Sequence, residues 1–160
     1  MRRPLLLLVS VLATAALVVP GVLLADGPAP PLRPVAAQGP DARAVLAAWD
    51  RRRSAAWAAG DRAALGRLYT PGSAAGRHDR AMLGRWAGRG LVVEDLGLAL
   101  LSVDVLEAAT HRLVLRVTDR MTGGRAVGRG LDVRLPEDGP STRTLTLVRV
   151  GEAWLVDEVR

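Results

Sequence analysis

Few side chains in this sequence suit a reactive centre. There are two histidines, His78 and His111, no cysteine, and 16 acidic residues. A histidine titrates near neutrality and can take or give a proton. His78 falls on the same helical stripe as Ala75, Met82 and Trp86, so it is expected to point inward. Asp79 is no ready-made partner, because successive residues on a helix do not face each other. The stripe positions one turn away, Ala74, Ala75, Met82 and Leu83, hold no acid. A partner would have to come from Asp104, Asp119 or Glu94. Asp119-Arg120 reads either as a ligand clamp or as a strand terminus satisfying the turn after it. His111, beside Thr110 where a strand begins, reads as a solvated edge residue. Trp49, Trp57, Trp86 and Trp154 either line an apolar pocket or anchor the core. The ligand-pocket candidates are therefore His78, Trp49, Trp86 and Asp119, with no catalytic residue assigned. The two histidines lack metal-ligand spacing, and no phosphate loop or G-x-S-x-G is present, so no metal and no cofactor are expected.

The elements that must position these residues begin at Asp41, an N-cap for a helix carrying Val45, Trp49, Arg52 and Ala56, with Leu46 and Trp57 beside them. One of the three arginines 51–53 must run along the buried edge of that helix. Gly60-Asp61 ends one helix and caps the next, which turns Ala64, Leu65 and Leu68 inward and stops at Tyr69-Thr70-Pro71-Gly72. A third helix starts near Ser73 and closes at Gly88 and Gly90. From Leu91 the period changes from helical to two. A long strand runs from Leu91 to Val105 with a bulge near Leu101-Ser102. Arg112–Thr118 follows, with Leu113, Leu115 and Val117 on one side. Gly123-Gly124 is expected to turn the chain into Ala126–Leu135, and the Pro136–Pro140 segment into Thr142–Val150. A tight turn at Gly151-Glu152 leads to Ala153–Val159. Strands joined by short turns are antiparallel neighbours, so the fold class is α+β, with helices on one side of an antiparallel sheet.

Before Asp41 the chain reads differently. Arg2 and Arg3 precede an apolar run from Leu5 to Ala25, the order that export machinery recognises. Residues 1–27 are a signal-anchor or a signal peptide, and 28–40 a Pro/Ala-rich linker. The expected location is the cell membrane, single-pass with the C-terminal domain outside, or secreted after cleavage. All 22 basic residues are arginine, and lysine, isoleucine, asparagine and phenylalanine are absent. That bias fits a GC-rich bacterial genome. From residue 41 onward 19 arginines face 15 acids, scattered and without interleaved aromatics, so no nucleic acid is expected as a partner.

Trp49, Ala59-Gly60-Asp61, Leu65 and Leu68-Tyr69, with the Gly151–Val156 hairpin, resemble the NTF2-like (SnoaL-like) superfamily over residues 41–160. Asp79, Leu83, Trp86, Arg89-Gly90-Leu91 and Val117–Arg120 are similar to uncharacterised exported or membrane-tethered members from high-GC Gram-positive bacteria. The resemblance implies a cone-like domain, three helices packed on a curved antiparallel sheet. Enzymes of the superfamily place an acid or base inside the cone, commonly Asp paired with His or Tyr. Two functions follow as expectations. One is a non-catalytic, membrane-tethered domain binding an envelope protein, a second copy through the sheet face, or a small apolar molecule. The other is a small cone-cavity enzyme of isomerase, cyclase or hydrolase type.

Overall fold

A computed structural model describes residues 40–160, so the expected export segment, and the linker up to residue 39, lie outside the described residues. Among the described residues three helices come first: α1 (Ala42–Ala59), α2 (Arg62–Gly66) and α3 (Ala74–Ala87). Their ends follow the sequence punctuation. Asp41 and Asp61 accept backbone N–H bonds as N-caps, Ser73 caps α3, and Gly60 closes α1 with φ +65°. The buried side of α1 carries Leu46, Ala56 and Trp57. The arginine that follows the buried edge is Arg53, while Arg52, expected on the stripe, is exposed. Among the described residues no helix is long and apolar enough to cross a membrane.

Five strands complete the chain: β1 (Val92–Ala109), β2 (Arg112–Gly128), β3 (Leu131–Arg134), β4 (Ser141–Val150) and β5 (Ala153–Val159). They form one antiparallel sheet in the order β1-β2-β4-β5, with β3 paired to the far end of β2. Four register shifts bend β1 against β2, one between Leu100 and Ser102, where the alternation slips in the sequence. The chain does not turn at Gly123-Gly124. β2 continues through that pair to Gly128, and Gly123 takes φ +114° beside the register shift opposite Gly97. The turn comes at Arg129-Gly130, both with positive φ, the twist-matched two-residue hairpin.

The core lies between the helices and one face of the sheet. Leu113, Leu115 and Val117 of β2, Leu147 of β4 and Val156 of β5 are sealed there with Leu65 and Leu83. Leu68 and Thr70 clasp β5 directly: Val156 N–H donates to the Leu68 carbonyl at 2.9 Å and Thr70 N–H to the Val156 carbonyl at 3.1 Å. The Thr70 hydroxyl adds a 2.5 Å bond to Asp157.

Candidate functional site

Asp79 is the most deeply buried acid of the helical layer, at 4% exposure. The Arg53 guanidinium grips it as a fork, Nε at 2.7 Å and Nη2 at 2.9 Å. The Tyr69 hydroxyl donates to it at 2.7 Å and the Trp57 indole N–H at 3.3 Å. Four donors fill the carboxylate's capacity, as a buried charge requires. Burial, followed by the negative charge of Asp79, pushes the Tyr69 phenol up, so it stays protonated and keeps donating. Burial opposes the Arg53 charge, but the bond to Asp79 and its field outweigh that and raise Arg53. Gly76 makes the arrangement possible: a Cβ there would lie 2.6 Å from the Tyr69 ring. The knot ties α1, the segment after α2 and α3 together.

His78 lies one residue away and is exposed, not inward. The inward line of α3 is Gly76, Asp79 and Leu83, about one residue's rotation from the stripe expected with His78 on it. The hydrogen-bonding need of Asp79 outweighs the weak apolar pattern there. His78 therefore sits at the surface and not on the inward stripe expected of it. Trp49 and Trp86 are half-buried against the core. The Trp49 indole donates to the Leu68 carbonyl at 2.9 Å and meets Tyr69 edge-on, centroids 5.5 Å apart. His111 is exposed in the β1–β2 turn, where its carbonyl accepts from Arg149 N–H.

Asp119 is no strand terminus. The alternation that buries Leu113, Leu115 and Val117 continues one step and buries Asp119, 5% exposed, in mid-strand. From β4, Arg143 pairs with it and Ser141 approaches at 3.4 Å, while Arg120 is exposed and reaches Glu137 instead. At this end the inner face of the sheet changes from apolar to charged. Asp50 of α1 faces the same region: burial first, and then the charge of Asp119, raise its carboxyl above the ordinary aspartate value, against the pull of Arg53. Arg143 Nε is buried with no partner among the described residues.

A separate groove of about 1000 Å³ runs between α1, α2, the start of α3 and the β4–β5 hairpin. Ala55, Ala59, Leu68 and Leu155 contribute apolar surface, and Arg52, Arg62, Arg67 and Arg80 also line it. Neither His78 nor Asp119 borders it.

No family model and no curated protein matches the chain. Solved structures do. The intermembrane-space region of the chloroplast protein ARC6 is similar at 17% identity and a TM-score of 0.55, over 75% of this chain and 95% of that one. Aln2 from a Streptomyces species matches at 15% identity and a TM-score of 0.49, over 76% and 91% of the two chains. An NTF-2-like protein of unknown function from Shewanella oneidensis matches at 12% and 0.43, over 73% and 95%. At such identities the likeness is one of fold alone: α+β, with helices packed on an antiparallel sheet.

Proposed function

We propose that this chain is a non-catalytic, membrane-tethered NTF2-like domain that works outside the membrane and binds a partner protein or a small apolar ligand. It would then resemble the tethered exported proteins of high-GC Gram-positive bacteria. The observation that carries the binding role is the outer half of β1, an edge strand on which Leu101, Val105 and Leu106 are 49%, 53% and 49% exposed. A long edge with large apolar side chains favours a partner or a second copy of the sheet. Asp79 and Asp119 are already bound by donors from within the fold, which argues against a free catalytic acid at either position. The test is a photo-crosslinking residue placed at 101, 105 or 106 in growing cells. Adducts at these positions and none at exposed Asp132 of β3 support the proposal. Equal labelling at all four positions, or none at any, rejects it.

One observation favours a second reading. Asp50, half-buried and with its carboxyl raised by burial and by the charge of Asp119, has the character of a general acid. On that reading Asp50→Asn abolishes an isomerase or hydrolase turnover without unfolding the protein. On the favoured reading there is no turnover to lose.

A further inference from the structure

Charge divides sharply between the two layers. Over residues 41–90 ten arginines face four aspartates, a net +6, whereas over 91–160 nine arginines face eleven acids, a net −2. The four aspartates do little to offset this at the surface. Asp41 and Asp61 are N-caps, Asp79 is buried under Arg53, and Asp50 is half-buried. The solvent side of the helical layer is therefore dominated by arginine, and part of it converges on the groove.

Arg52, Arg62, Arg67 and Arg80 are exposed, line that groove, and make no ion pair among the described residues. The guanidinium bonds of Arg52 and Arg80 run from Nε to carbonyls of their own helices, at 3.2 and 3.3 Å. Asp61 is the one acid in the lining, and it is held by the N–H groups of Ala63 and Ala64. Alanines of α1, Leu68 and Leu155 supply apolar surface between these charges. A volume of about 1000 Å³ lies at the upper end of small-molecule sites. An open groove of that size, with apolar and cationic lining, suits an extended or helical segment better than a compact ligand.

We propose that this groove docks an acidic, amphipathic peptide segment of the partner protein. Its apolar side chains would lie on the alanine and leucine surface and its carboxylates against Arg52, Arg62, Arg67 and Arg80. The proposal rests on the partner-binding reading above, and it names a surface apart from the β1 edge. Concavity favours a peptide over a lipid surface, because a plane of headgroups cannot enter a groove.

The experiment uses the full chain in phosphatidylcholine nanodiscs. The probe is a fluorescent peptide of alternating glutamate pairs and leucines, followed by anisotropy beside the same peptide with glutamine for glutamate. The glutamate peptide binds, more weakly as salt rises, and the glutamine peptide does not. Arg52→Gln with Arg67→Gln weakens binding about tenfold, the combined effect of two exposed charge pairs. Arg43→Gln with Arg89→Gln removes the same charge outside the groove and changes binding less than about twofold. Absence of binding, equal binding of both peptides, or equal loss in both double variants overturns the proposal. So does loss of peptide binding when phosphatidylglycerol is added to the disc, which would reassign these arginines to lipid. Adducts at Val105 without peptide binding would remove the groove alone; failure of both would remove the binding reading as well.

Discussion

At the scale of single residues, the contrast between Asp79 and Asp50 separates structure from reactivity. Asp79 is buried with four donors, whereas Asp50 is half-buried beside another carboxylate. A carboxyl raised above its ordinary value of 3.8 binds protons more readily in the folded state than in the unfolded one. Stability contributed by Asp50 therefore falls as pH rises through its folded value. Asp50→Asn should raise the thermal midpoint at pH 7, and the gain should shrink as pH falls toward 3.8. Melting curves across that range check this, and a gain that grows toward low pH contradicts it. Both aspartates are plain in the sequence, but their fates are not. The partners of Asp79 come from positions 53, 57 and 69, and no local pattern joins them. Asp119 was more legible, because it continues the alternation of Leu113, Leu115 and Val117. Its place next to a turn-like Thr-Gly-Gly hides that continuity.

At the scale of elements, helix caps and hairpin ends follow local chemistry, and the sequence shows them well: Asp41, Gly60, Asp61 and Ser73 all stand at observed helix ends. Glycines are ambiguous, since the same residue serves a turn, a bulge or a close approach. Gly123-Gly124 reads as a turn and is the continuation of a strand, while the turn falls to Arg129-Gly130. Two glycines of α3 make this testable. A Cβ at Gly76 meets the Tyr69 ring root at 2.6 Å, whereas one at Gly84 meets the movable end of Arg62 at 3.2 Å. Alanine gains up to about 1 kcal/mol over glycine inside a helix. Overpacking against a fixed ring costs about 1–3 kcal/mol. Gly76→Ala should lower the urea midpoint and Gly84→Ala should raise it. The same sign for both would show that Tyr69 is not fixed against α3.

At the scale of the whole molecule, the proposed tether carries its own prediction. Arg2 and Arg3 ahead of the apolar run should hold the start of the chain inside. Protease added to intact spheroplasts should then remove a C-terminal tag, and digestion only after lysis would reject that orientation. Fold class was legible because period, caps and turns all agreed on helices followed by antiparallel strands. The cationic helical layer was obscured by a modest net charge spread over both layers. The clasp of Leu68 and Thr70 on Val156 has a consequence for the order of assembly. It joins the segment after α2 to β5, with Thr70 and Asp157 separated by 87 positions. The β1–β2 hairpin is local and can form early, but the helices gain their clasp only when the last strand in chain order arrives. Contacts of such long sequence separation form slowly. During synthesis the segment after α2 therefore stays unclasped until β5 is available, although the Arg53–Asp79 knot and the β1–β2 hairpin need no later residue.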